Sequence, residues 1–283
     1  MEETVSKKQE ETALAVPGNV ALSSAVAKLP DDLRKNAVAL FEQMTPTEDE
    51  YGEMDDELRW RPMIISVKQP TSRKYPDAAK NGDLYSNDSG QVFKQPLEFV
   101  PIYPYTNQAR FQPGSQRPDC RSEDGKTSIY GDKCDACDDQ PWKGNARQKC
   151  QRTLNIMAVT PDFKKMYVLQ FKGASFKTGK SILQQAKNSG ERLHQRVCSL
   201  TTQEKQGEGV YFVINANYVG PTDPATHETG AAFYDELKKM RQEVLARISE
   251  SVSAGHERVE RIKDDIGDDA DNGDGSAADF SDL

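Results

Sequence analysis

Cys134 and Cys137 form a Cys-x-x-Cys pair, with Cys120 fourteen positions upstream and Cys150 thirteen positions downstream. A turn of this spacing lets two thiolates chelate one ion, and the flanking cysteines can complete a tetrahedral set of soft ligands that suits Zn²⁺. Such a set leaves no open position, so the chemistry expected is structural and not catalytic. A redox Cys-x-x-Cys or four unliganded thiols are the other readings of the same spacing. The surroundings favour a metal staple: Asp124-Gly125, Gly131-Asp132 and Lys143-Gly144-Asn145 supply turns but few apolar residues to hold a knuckle together. Cys198 falls within an apolar strand pattern and reads as a small core residue. His194, His227 and His256 are scattered, and would enter the metal set only in place of a missing cysteine.

A second chemical candidate is Gly173-Ala174-Ser175-Phe176-Lys177-Thr178-Gly179-Lys180-Ser181, which follows a strand pattern and opens a helical one. A phosphate-binding loop needs four residues between its glycines so that consecutive amides converge on the phosphates, and this segment has five. No later apolar strand ends in a magnesium-binding aspartate, because Val210-Tyr211-Phe212-Val213-Ile214 runs into Asn215. Nucleotide hydrolysis is therefore set aside. No carboxylate cluster or histidine motif points to a nuclease, and the chain reads as a non-enzyme.

Charge is divided into blocks. Residues 1–57 carry 5 basic and 14 acidic side chains, residues 58–220 carry 25 and 15, and residues 221–263 carry 7 and 8. The strip from Asp264 to Leu283 holds eight aspartates without a lysine or arginine, which accounts for the whole net charge of −8. A basic island between acidic ends attracts polyanions, and a tethered acidic strip competes for that island or offers itself to another basic protein. The island interleaves cations with aromatic rings, the combination that lets a protein follow a phosphate backbone while bases stack. The candidates are Arg59, Trp60, Arg61, Tyr103, Tyr105, Arg110, Phe111, Lys149, Arg152, Lys164, Lys165, Lys172, Phe176, Lys177 and Lys180. Tyr167, Phe171 and Phe212 alternate within strand patterns and read as core.

The elements that must position these groups follow from periodicity. Leu33, Ala37, Leu40, Phe41 and Met44 share a helical face behind Pro30-Asp31. Strands are expected over Arg59–Lys68, Pro96–Tyr103, Arg152–Val159, Met166–Lys172, Arg196–Thr202 and Gly209–Ala216. The prolines of Pro96–Tyr103 imply an edge or bulged strand. A loop is expected over Tyr75–Gly90, a short helix capped by Ser175 and ended at Asn188-Ser189-Gly190, and a helix from Phe233 to about Ser251, interrupted by Gly255. Counted from Pro96, the order strand, cysteine insertion, strand, strand, helix, strand, strand is that of an OB-fold. The fold class expected is mainly β (α+β): an OB-fold-like five-stranded barrel with an inserted zinc knuckle, flanking helices and a disordered acidic tail. The organisation expected is a flexible 1–57 with one amphipathic helix, a 58–220 core with the cysteine insertion at 108–150, a helical 221–263 and the tail 264–283. Hydrophobic residues make up 36% of the chain and no run has the roughly 18 apolar residues of a membrane span. The start, Met1-Glu2-Glu3-Thr4, lacks the pattern of a secretory signal, so a soluble cytoplasmic protein is expected.

The cysteine stretch from Asp119-Cys120 through Lys133-Cys134-Asp135-Ala136-Cys137 and Lys149-Cys150 to Phe171-Lys172-Gly173, with the closing Asp279-Phe280-Ser281-Asp282-Leu283, resembles the single-stranded DNA-binding proteins of tailed bacteriophages. By function it resembles bacterial single-strand-binding protein. The likeness departs from both models: bacterial tails end in a Pro-Phe pair absent here, and the zinc-containing phage type has a histidine among its ligands where this chain offers four cysteines. The resemblance implies coating and protection of single-stranded DNA in phage replication, recombination and repair, in the cytoplasm of a bacterial host. It also implies recruitment of replication and recombination proteins by the tail, for which Asp279, Phe280, Asp282 and Leu283 are the candidates. Self-association is a separate expectation for the chain. The rival reading is a zinc-containing regulator that docks on RNA polymerase or a replication enzyme.

Overall fold

The computed structural model describes residues 24–44, 62–71, 78–86, 88–111, 118–137, 150–207 and 209–267, with side chains described as far as residue 246. The chain is mainly β: one curled mixed sheet forms a half-barrel with a few helices around it. The strands are β1 (Met63–Val67), β2 (Leu84–Ser86), β3 (Val92–Phe93), β4 (Leu97–Phe111), β5 (Pro118–Ser122), β6 (Cys150–Val159), β7 (Met166–Lys172), β8 (Arg196–Gln206) and β9 (Val210–Pro221). The helices are α1 (Asp31–Met44), α2 (Phe176–Asn188) and α3 (Pro224–Gly267). Neighbouring strands run in the order β3-β2-β1-β7-β6-β4-β8-β9, with β5 added on β4. All pairs are antiparallel except β1 on β7.

Two cores hold this sheet, one on each face. On the inner face, alternation along β6 and β7 delivers Leu154, Ile156, Leu169 and Phe171 to a cluster with Ile65, Phe99, Leu200 and Ile214, plugged by Ile182 of α2. On the outer face, Val100, Ile102, Val159 and Met166 meet Leu40 and Phe41 of α1 and Phe233 and Leu237 of α3. Phe233 joins the helices to the sheet, stacking on Phe163 at 5.9 Å and meeting Phe41 edge-on at 6.2 Å.

β4 is bulged as its prolines imply, between Pro101 and Tyr103, but it lies centrally and not at an edge. The two facts are compatible because β8 pairs only with Leu97–Phe99 and β5 only from Gln108 onward. Pro101 and Pro104 lie in the stretch bonded on one side alone, where a missing amide costs no ladder bond. Three expected features differ. Leu84–Ser86 forms a strand inside the expected loop, held by pairing with β1. Ser175 does not cap α2; its Oγ accepts a hydrogen bond from the Ile214 amide at 3.0 Å, so it joins the helix start to β9. The last helix begins at Pro224 and passes through Gly255 without a break. Its start is built by Asp223, whose carboxylate accepts the amides of Ala225 and Thr226, each at 3.0 Å, with proline at the first helical position.

Candidate nucleic-acid interface and cysteine cluster

β6, β7 and β1 carry polar residues on the face opposite the inner core, buried at Asn155 and Ser66 and open at Gln151 and Lys172. Cross-strand pairing places Asn155 beside Gln170 and Thr153 beside Lys172 on the face opposite the inner core, with Gln151 and Ser66 on the same side. Where β7 ends, Ser66, Gln151, Gln170 and Lys172 line a cleft of about 360 Å³ whose other wall is the start of β9, including Tyr211. Lys172 is exposed there, and Tyr211 keeps 38% of its surface open. Beyond the cleft, β8 and β9 extend as a long hairpin turning at Gln206–Val210. Cation and amide side chains of β6 and β7 therefore share one cleft with an open aromatic ring of β9.

The other sequence-derived candidates are distributed unevenly. Arg152 is exposed on β6, and Phe111 at the end of β4 leaves 49% of its surface open. Arg110 pairs with Asp119 at 3.0 Å. Lys164 pairs with Asp162 at 3.1 Å in the β6–β7 turn, next to a half-buried Lys165. Tyr103 packs against Tyr234 of α3, with centroids 5.6 Å apart, and the guanidinium of Arg241 lies 4.5 Å over the Tyr105 ring. Burial pushes both phenols above the ordinary tyrosine range and outweighs the Arg241 guanidinium, which works to lower them. Both rings thus join α3 to the sheet. Phe176 is half-buried on the inner core, whereas Lys177 and Lys180 are exposed on α2, away from β4. Arg59, Trp60, Arg61, Lys149 and the tail residues Asp279, Phe280, Asp282 and Leu283 lie outside the described residues.

Sequence reasoning missed Tyr211, which sits beside Phe212, a residue expected in the core but half-buried and lining the cleft with Tyr211. It also missed Tyr130, 53% exposed, whose hydroxyl donates to the Asp119 carbonyl at 2.8 Å. Gly179, weighed as part of a phosphate loop, has a packing role. A Cβ there would stand 2.8 Å from both Leu154 and Phe171, so glycine lets α2 settle on β6 and β7.

The cysteines are gathered by the sheet and one loop. Arg110 of β4 pairs with Cys120 on one side and Cys150 on the other, so both thiols occupy one row of three strands. Cys134 and Cys137 arrive on a 3-10 turn, Cys134–Ala136, carried back by the Thr127–Lys133 bridge and by the Cys134 amide donating to the Lys126 carbonyl at 2.7 Å. Asp124 shapes that loop by accepting from the Thr127 and Lys126 amides and from the Ser122 hydroxyl. Burial works to raise its carboxyl, but these bonds outweigh it and hold Asp124 below the usual range. Burial pushes the Cys120 and Cys134 thiols up and the Cys150 thiol up to about 11, and the other three cysteines add repulsion at Cys150. Among the described residues, no three His, Cys, Asp or Glu side chains converge closely enough to ligate an ion as they stand. The donor chemistry nevertheless fits a soft divalent cation, since four thiols, those of Cys134 and Cys150 buried and those of Cys120 and Cys137 half-buried, are carried to one end of the sheet.

The fold and site together define a mainly β domain of curled-sheet type with a polar strand face and a cysteine-bearing insertion. The chain belongs to the Pam3 phage gp34-like protein family, whose model matches residues 66–243, from β1 into α3. No curated protein and no solved structure gives a significant match to it. No helix among the described residues is long and apolar enough to cross a membrane.

Proposed function

We propose that this chain is a non-enzymatic single-stranded DNA-binding protein, coating and protecting single strands during phage DNA replication, recombination and repair. The observation that carries the reading is the cleft, where Lys172, Gln151 and Gln170 on β6 and β7 set a cation and polar amides across from the open ring of Tyr211 on β9. Such a surface can follow a flexible phosphate backbone and stack bases without reading sequence. The order β7-β6-β4-β8-β9, with α2 between β7 and β8, supports an OB-like core. In OB-folds oligonucleotides lie across the second and third strands between two loops. The counterparts are β6–β7, the cysteine-bearing connection and the β8–β9 hairpin. In this reading β1 is an addition inserted on β7.

Cys120, Cys134, Cys137 and Cys150 would hold one structural Zn²⁺, whose chemistry is to supply folding energy to the insertion. The protein's own residues do the binding. The acidic tail recruits replication and recombination partners, with Phe280 and Leu283 as apolar anchors and the aspartates meeting a basic rim.

A salt titration of binding to single-stranded DNA, duplex DNA and RNA tests the reading. Single strands should bind best, with affinity falling steeply as salt rises. Equal affinity for duplex and single strand, or no oligonucleotide binding at low salt, rejects it.

A further inference from the structure

A second cavity, of about 720 Å³, opens away from the strand face, between the C-terminal half of α2, the 3-10 turn Leu193–Gln195 and α3. Its floor is apolar, made by Leu183, Ala186, Leu193, Ala231 and Tyr234. Lys187 and Arg192 stand exposed at its rim. Of the acidic groups present, Glu191 is engaged by Arg196 at 3.0 Å, which leaves Asp235 on the α3 side. α2 extends the positive rim: Lys177, Lys180 and Lys187 lie at i, i+3 and i+10 on one exposed side, and the helix carries no aspartate or glutamate.

An apolar trough with a lysine stripe leading to it calls for an acidic segment ending in apolar side chains. This chain contains one: Asp264 to Leu283 holds eight aspartates, with Phe280 and Leu283 among the last five residues. Reach decides whose copy supplies it. α3 runs unbroken to Gly267, which at 1.5 Å per residue lies about 50 Å along the helix from Tyr234. Phe280 is thirteen residues past Gly267, and a fully extended chain of that length spans at most about 45 Å. Phe280 would need more than the full stretch of the backbone to return to the groove of its own chain, and Leu283, sixteen residues past Gly267, nearly all of it, so the aspartates before them could not also lie along the lysines of α2.

We infer that the groove between α2 and α3 receives the Asp279–Leu283 segment of a second copy, with the preceding aspartates lying along Lys177, Lys180 and Lys187. The contact is heterologous, the tail of one copy meeting the groove of another. It does not depend on DNA.

The test uses the full-length protein without DNA. One preparation carries the photo-crosslinker benzoylphenylalanine in place of Phe280; the other is ¹⁵N-labelled wild type, so mass spectrometry tells which copy was struck. Crosslinks from position 280 should fall on ¹⁵N peptides containing Leu183–Leu193 or Ala231–Asp235, rise with protein concentration and weaken in high salt. Crosslinks confined to the same copy, crosslinks directed to the Lys172 and Tyr211 cleft, or an absence of protein crosslinks each overturn the inference. In sedimentation velocity, Phe280→Ala with Leu283→Ala should weaken self-association roughly tenfold or more, as loss of apolar anchors does. These substitutions leave the described fold untouched, and Lys187→Glu should act in the same direction. Association unchanged in both variants also overturns it.

Discussion

The side-chain amide of Gln69 exchanges two hydrogen bonds with the backbone of Phe212, its Nε2 donating to the carbonyl at 2.7 Å and its Oε1 accepting from the amide at 2.9 Å. One side chain thus substitutes for a ladder partner between the end of β1 and β9, where the half-barrel approaches closure. The β1–β2 turn reinforces the junction. Thr202 Oγ1 and Gln95 Nε2 both donate to the Gly82 carbonyl, at 2.6 and 3.1 Å. Gly82 has φ +87°, and a Cβ there would stand 2.7 Å from the Phe212 ring. Gln69→Ala should lower stability by about 1–3 kcal/mol, because it orphans two backbone groups. Gly82→Ala should destabilise as well, through the combined strain of positive φ and the close ring. Urea melts monitored by circular dichroism check both, and unchanged midpoints would refute the closure.

His194 stacks on His227 with centroids 4.8 Å apart and an interplanar angle of 14°. Burial, then the neighbouring charges of His227 and Arg192, holds His194 down to about 4. In the unfolded chain an imidazole titrates near 6.5. Between those values the unfolded state binds the proton more readily, so stability should fall as pH drops from about 6.5 towards 4, by up to roughly 3 kcal/mol. Above about 6.5 the residue contributes no slope. Denaturation midpoints across this range should flatten in His194→Phe, and an identical slope in that variant would show that another group is responsible.

On the strand face, Lys172→Glu should weaken single-strand binding and reduce the salt slope by about one phosphate contact. Tyr211→Ala should cost about 1–3 kcal/mol in affinity with little change in salt slope, as lost stacking does. Fluorescence anisotropy with an unstructured oligonucleotide separates the two. If Tyr103→Ala weakened binding more than Tyr211→Ala while the fold stayed intact, the interface would have to be moved.

The purified protein should contain one zinc per chain by elemental analysis. Cys134→Ser or Cys137→Ser should lose the metal and lower the melting temperature, whereas Cys198→Ser should keep it. Cys198 lies in the inner core beside Leu200, away from the other four. Metal-free wild type with an unchanged melting profile would favour free thiols.

Asp223→Ala should lower stability by about 1 kcal/mol through loss of the helix cap, since Asp223 accepts two amides at the start of α3. Asp223→Asn or Asp223→Ser should restore most of the loss. Thermal melts of the three variants decide the point.

Much of the scaffold was legible because burial on one side of a strand or helix imposes a period on the chain. Met166–Lys172 matches its expected bounds, and α1 buries Ala37, Leu40, Phe41 and Met44 as their spacing requires. Strand extensions were not legible: β4 continues through Tyr105-Thr106-Asn107-Gln108, polar enough to read as loop, because β6 pairs with it along its length. The start of α3 was written in Asp223-Pro224, a capping signal outweighed by the apolar spacing that begins at Phe233.

By itself the sequence determined what is local or compositional: the alternating strands, the amphipathic helix, the cysteine spacing, and the separation of a basic middle from an acidic end. Each is a property of neighbouring residues, and short-range periodicity and charge report it directly. Which side chains face one another was decided only by the tertiary structure, because strand register and helix docking join residues far apart in the chain. Register sets Gln170 beside Asn155 and places Cys120 and Cys150 on either side of Arg110. Docking of α3 covers Tyr103 and Tyr105, and the start of β9 leaves Tyr211 open at the cleft. Aromatic rings of equal sequence promise were thereby assigned to packing or to an open surface.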